Sequence, residues 1–178
     1  MAFYAASMLF EMCTPTSSLF GFLGMSSAVI LANMGAAYGT AKSGVGIVQI
    51  AVGKPAAMMR SLIPVVMAGV LGIYGLITAI MLNSKMAEPE RYPAFMGYAH
   101  FSAGLTVGLS SLAAGMCIGI VGDAGVRACA ETSKVYVGMI LILIFGEALG
   151  LYGLIIGLIV AQKGGKDLCA SYKPMDQK

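Results

Sequence analysis

Residues 135–162 read VYVGMILILIFGEALGLYGLIIGLIVAQ, an apolar run whose single charged side chain is Glu147. The hydrocarbon core of a bilayer is ~30 Å thick and a helix rises ~1.5 Å per residue, so about 20 apolar residues cross it. This run is long enough, and three others match it. No Asp, Glu, Lys or Arg lies between Glu11 and Lys42, from Ser61 to Ser84, or from Tyr92 to Gly122, where His100 is the one basic titratable group. The 178-residue chain is 58% hydrophobic and 11% charged, with no Trp, whereas soluble domains carry roughly 25% charge. Helices buried in a soluble core would keep a polar face towards water, and these have almost none. The sequence therefore predicts an all-α membrane protein with four transmembrane helices.

Composition also removes other classes. Cys13, Cys117, Cys129 and Cys169 show no CxxC spacing and no His partner, so they read as isolated thiols, with no metal and no cofactor expected. The net charge of +3 is scattered and forms no basic stripe, so no nucleic-acid partner is expected. Residues 1–18 lack the basic start of a signal peptide and are broken by Glu11 and Pro15. They read as an N-terminal segment that lies at the interface or caps the first helix, and residues 163–178 as an exposed C-terminal tail.

The spans repeat in pairs. Leu71-Gly72-Ile73-Tyr74-Gly75-Leu76-Ile77 in the second span returns as Leu149-Gly150-Leu151-Tyr152-Gly153-Leu154-Ile155 in the fourth, six of seven residues identical at a shift of 78. Gly24, Gly35 and Gly39 of the first span match Gly104, Gly115 and Gly119 of the third at a shift of 80. Each odd span then meets what reads as a similar loop, Lys42-Ser43-Gly44-Val45 or Asp123-Ala124-Gly125-Val126. The chain is thus predicted to be a tandem duplication of a helical hairpin. Repeat 1 covers residues 19–84, repeat 2 covers 93–162, and a charged, proline-bearing turn near 83–93 joins them. Each hairpin has two spans, so both share one orientation, as a ring of stacked hairpins requires. Pro64 falls in the first turn of the second helix, where a proline is tolerated.

Gly104, Gly108, Gly115 and Gly119 are spaced four, seven and four apart, which sets them on one helix face. Gly24, Ala28, Gly35 and Gly39 have the same spacing. Lipid offers no hydrophobic drive between helices, so close approach depends on small residues of this kind. Two matching stripes predict a tightly packed layer at the narrow radius of a ring.

Glu147 lies roughly 2 Å of helix axis from the middle of its run. A charge at that depth costs on the order of 2.5–3.5 kcal/mol on insertion scales. Its neighbours one turn away, Leu143, Ile144, Gly150 and Leu151, are apolar, and no cation lies in any predicted span. Such surroundings favour the protonated acid over the carboxylate. A neutral acid can face lipid while an ion cannot, so the residue is predicted to bind and release a proton. Sodium would need several oxygen ligands. The nearby candidates are Tyr152 and Tyr74, each able to donate a hydrogen bond or simply to pack. The position matching Glu147 in repeat 1 is Gly69, so one acid serves four helices.

Four stretches carry a resemblance to a known family: GAAYGTAKSG at 35–44, SLIPVVM at 61–67, GIVGDAGVR at 119–127 and ILIFGEALGLYG at 142–153. Over about residues 19–162 the chain resembles the 16 kDa-type proteolipids of eukaryotic vacuolar-type proton ATPases. The resemblance implies a rotor ring of such subunits, homo-oligomeric or mixed with other proteolipid subunits, in a vacuolar or other acidic endomembrane or the plasma membrane. It implies Glu147 as the proton carrier, with H+ as the transported ion. It further implies a membrane stator subunit that supplies an arginine, and central stalk subunits that meet the 42–60 and 122–134 segments on the cytosolic side. Lys42, Asp123 and Arg127 are the candidate stalk contacts. Lysines and arginines lie on both sides, so charge alone gives no orientation. The competing reading is a small four-helix proton-coupled drug or solute exporter, which would want an aromatic-lined substrate chamber facing the acid. A non-transporting scaffold would not keep a carboxylate at mid-membrane.

Overall fold

The computed structural model describes residues 16–55, 58–86 and 92–162. Among these residues there are four long helices: α1 (Ser17–Gly53), α2 (Ile63–Lys85), α3 (Ala94–Glu131) and α4 (Tyr136–Gln162). Short 3-10 turns, Met59–Leu62 and Ser133–Val135, lead into α2 and α4. All four helices, with those lead-in turns, are long and apolar enough to cross a membrane. The predicted N-terminal segment (save its last three residues, 16–18, of which Ser17 opens α1) and the C-terminal tail lie outside the described residues, as do residues 87–91 of the 83–93 turn.

Small residues make up much of the interior, beside a few larger ones such as Leu71, Leu82, Ile118 and Leu143, while many large apolar side chains face outward. Ala28, Ala32, Ala68, Ala103 and Ala114 are fully buried, while Phe22, Ile30, Val66, Leu109, Phe145 and Ile156 are more than half exposed. Hydrocarbon solvates the large side chains as well as a core would, so small residues win the interior by letting backbones approach.

That logic is sharpest between α1 and α3, the most extensive contact in the fold. They run parallel, glycine stripe against glycine stripe. A Cβ on Gly104 would strike the Gly24 carbonyl, and one on Gly115 would strike that of Gly35. A Cβ on Gly35 would meet the Ser111 carbonyl oxygen at 2.6 Å, and one on Gly39 the Gly115 oxygen at 2.9 Å. Gly108 lies against the Ser27 carbonyl oxygen, at 2.9 Å for a Cβ, and Gly119 against Gly39. No described glycine has a positive φ. These glycines therefore serve by their missing side chain and not by backbone freedom. The α2 helix leans on α1, α4 leans on α3, and α2 and α4 share a smaller contact.

The structure corrects the predicted ends of the odd spans. The stretches from Lys42 and from Asp123, expected as loops, are helical, and α1 and α3 continue to Gly53 and Glu131. At ~1.5 Å per residue, helices of 37 and 38 residues exceed the ~30 Å core by some 25 Å. The charges persist there because they satisfy one another. Asp123, largely shielded, accepts from Arg127 Nε at 2.8 Å one turn along α3, and pairs with Lys42 Nζ across the α1–α3 contact at 3.4 Å. Lys42 and Arg127, each about half exposed, thus both pair with Asp123, one across the helix contact and one along α3. Charge marked a polar depth, while the helices end later, at Lys54 before Pro55 and at Thr132.

At the other end, His100 is buried and shares a hydrogen bond with the Tyr92 hydroxyl through Nδ1, at 2.5 Å. The Ser17 hydroxyl donates to the Tyr92 carbonyl at 2.7 Å, tying the start of α1 to that of α3. Burial pushes the Tyr92 phenol up to about 12.

Candidate functional site

Helix α4 places Glu147 eleven residues beyond Tyr136, or ~16 Å along the axis, about half the thickness of the hydrocarbon core. The side chain is half-buried. On its own helix it is flanked by Gly146, which lies against Cys117 and Ile118 of α3, and Phe145, which is 73% exposed. The carboxylate therefore stands at the edge of the packed layer, between protein and lipid.

The two tyrosines separate here. The Tyr74 hydroxyl of α2 donates to Glu147 Oε1 at 3.3 Å, a long hydrogen bond. Tyr152 is 58% exposed and makes no hydrogen bond among the described residues. The reason is angular. Five residues along an α-helix rotate a side chain by about 140°, so Tyr152 faces well away from Glu147. The approach of α2 depends on Gly150, where a Cβ would meet Leu71 Cδ2 at 2.7 Å and Tyr74 Cδ2 at 3.8 Å. Tyr74 in turn is steadied by Thr78, whose hydroxyl donates to the Tyr74 carbonyl at 2.9 Å.

Among the described residues Glu147 has no ion-pair partner; Lys42 and Arg127 both turn to Asp123. Nor do any three His, Cys, Asp or Glu among them gather as metal ligands. Tyr74 is the one hydrogen-bonding oxygen that the described residues bring to the acid. This arrangement can hold a proton on a carboxyl group and release it to a strong local field. It offers little to a metal ion, which wants a cage of oxygens.

Gly69, the twin of Glu147, is exposed, and a Cβ there would meet nothing within 4 Å. Sequence reading overlooked one structural element of the site, the stripe Gly146, Gly150, Gly153 and Gly157 at steps of four, three and four. Each of these seats α4 against α3, at Cys117, Ala114, Ser110 and Val107 in turn. The spacing itself was the available signal.

A family model described as the ATP synthase C-subunit matches the chain twice, over residues 23–82 and 101–160. The matches begin 78 residues apart, the same step as the tyrosine motif, and together span more than half of the chain. The chain belongs to this family of ring-forming, ion-carrying hairpin proteins, here in duplicated form. Its relatives narrow the class further. It is 60% identical over 157 residues to the V-type proton ATPase 16 kDa proteolipid subunit of Chrysotila carterae, covering 86% of this chain and 96% of that one. It is 54% identical over 147 residues to the V-type proton ATPase 16 kDa proteolipid of Nephrops norvegicus, and equally so to that of Rattus norvegicus. Those two matches cover 83% of this chain and 92% and 94% of the relatives. The exporter reading finds no support among them.

Proposed function

We propose that this chain is the proton-carrying rotor-ring subunit of the membrane sector of a V-type ATPase, with Glu147 as the carrier. Family membership supports the rotor. The observation that supports Glu147 is its place on α4: halfway across the membrane, at the lipid-facing edge, one phenol within reach and no cation beside it. The chain is not an enzyme alone; ATP hydrolysis belongs to other subunits.

The chemistry follows from solvation. Protonated, Glu147 is a neutral dipole that crosses lipid at modest cost as the ring turns. Ionised, it is tolerable only beside a positive charge, and the described residues supply none at that depth. The discharging cation must belong to another subunit, an arginine on the membrane stator. The connections between α1 and α2 and between α3 and α4 face the cytosol and the central stalk, and the membrane served is vacuolar or another acidic endomembrane.

Glu147→Gln in the assembled complex tests this reading. ATP-driven acidification of vesicles should be lost while the ring still assembles. A hydrophobic carbodiimide, which attacks protonated carboxyls in lipid, should label the parent at Glu147 alone and leave the variant unlabelled. Acidification that survives the substitution would sink the assignment.

A further inference from the structure

A cavity of about 390 Å³ opens at the end of the bundle where α2 and α4 begin. It is separate from the Glu147 site. Arg60, Ser61, Ser133 and Tyr136 give it a polar side, and Cys129 and Met139 an apolar one. Its volume falls in the range of small-molecule sites, roughly 300–1,000 Å³. We propose that it binds the phosphate headgroup of an anionic phospholipid from the adjacent leaflet.

Depth is the first argument. Tyr136 stands ~16 Å along α4 from Glu147, about half of the ~30 Å hydrocarbon thickness. With the acid at mid-membrane, the cavity lies at the boundary between acyl chains and headgroups.

Charge is the second. The Arg60 guanidinium is exposed and has no hydrogen-bond or ion-pair partner among the described residues. A guanidinium presents a fork of donors matched to phosphate oxygens. The Lys54 ammonium is held at the rim by the carbonyl of Ala130, a wall residue, at 2.6 Å. Lys134 follows Ser133 directly, and the opposing carboxylate of this segment is Glu131. Three cations against one acid favour an anion, and basic pockets between membrane helices are where anionic headgroups settle. The Ser133 and Tyr136 hydroxyls, which make no hydrogen bond among the described residues, are available as further donors.

The third argument separates a lipid from a soluble anion. Both helices that leave the cavity towards mid-membrane carry exposed apolar side chains, Val66 on α2 and Val137 and Leu141 on α4. An acyl chain attached to the bound phosphate would lie on them.

Native mass spectrometry of the intact, detergent-extracted assembly, taken from bilayers of equimolar phosphatidic acid and phosphatidylcholine, tests the proposal. Phosphatidic acid should be retained preferentially, and Arg60→Gln should reduce that retention about tenfold, the usual effect of losing a charge-assisted hydrogen bond. Arg60→Lys should keep most of it. Met139→Trp, which fills the cavity and leaves every charge in place, should abolish the preference; if that variant does not assemble, the two Arg60 variants decide. Equal retention of both lipids, or a preference unchanged by Arg60→Gln, would overturn the proposal. Displacement of the lipid by inorganic phosphate at matched headgroup concentration would assign the site to a soluble anion and overturn it as well.

Discussion

The two hairpins carry the same tyrosine, Tyr74 in one and Tyr152 in the other, yet among the described residues only Tyr74 touches an acid. They carry the same helix position as well, Gly69 in one and Glu147 in the other. Repeat 2 carries both groups and repeat 1 only the tyrosine, yet the phenol that reaches the carboxyl of repeat 2 comes from repeat 1. The site exists only where α2 and α4 meet. Duplication explains how such a division arises at little structural cost. The scaffold is held by glycines and alanines common to both hairpins, so a polar group can be lost from either without disturbing the packing.

The largest effect should come from adding one carbon to each half of the comparison. Gly115→Ala drives a Cβ into the Gly35 backbone, and neither helix can yield, whereas Gly69→Ala meets nothing within 4 Å. The first should destabilise the fold by about 3 kcal/mol and the second scarcely at all, as thermal unfolding in detergent would measure. Equal melting of the two variants would break the claim that the α1–α3 contact carries the scaffold.

Repeat symmetry yields the next test. If Tyr74 of α2 faces position 147 within a chain, then Tyr152 of α4 should face position 69 of the next copy in a ring. The double variant Gly69→Cys/Tyr152→Cys should therefore give a ladder of covalent multimers on oxidation, above the background of the parent's own thiols. A product no larger than the parent's would show that neighbouring copies do not continue the internal repeat.

A smaller effect separates the tyrosines. Tyr74→Phe removes the hydroxyl that occupies Glu147 Oε1, so carbodiimide should reach the carboxyl faster, by less than tenfold since a hydrogen bond contributes about 1 kcal/mol net. Tyr152→Phe should leave the labelling rate unchanged. A reversed order would exchange the roles assigned here.

Smallest of all should be Lys42→Ala. The side chain is 45% exposed, and Asp123 keeps its shorter contact with Arg127. Thermal stability should change by no more than about 1 kcal/mol. A larger loss would mean that the two hairpins are also held together by charge.

Much of this was legible in the sequence, and the exceptions have physical causes. Three uncharged runs and a fourth with a single acid marked four spans, because transfer into lipid acts on each segment separately. The odd helices ran on past Lys42 and Asp123 because a charge reports local polarity, and an ion pair across a helix contact leaves the helix intact. The glycine stripe of α4 was written at Gly146, Gly150, Gly153 and Gly157, and its steps of four, three and four are as regular as those of α1 and α3.

Glu147 stood out in the sequence as the one charge in its span, and the repeat identified Gly69 as its vacated twin. Those facts belong to the chain taken one segment at a time. The tertiary structure decided which tyrosine meets the acid and where the nearest cations go. Tyr74 and Tyr152 are equivalent by sequence, and their difference arises from a contact between residues 73 positions apart. Lys42 and Arg127 are bound to Asp123, and among the described residues Glu147 has no ion-pair partner. Hydrogen bonds and ion pairs require side chains within about 3–4 Å, and only the packing of whole helices fixes distances that short.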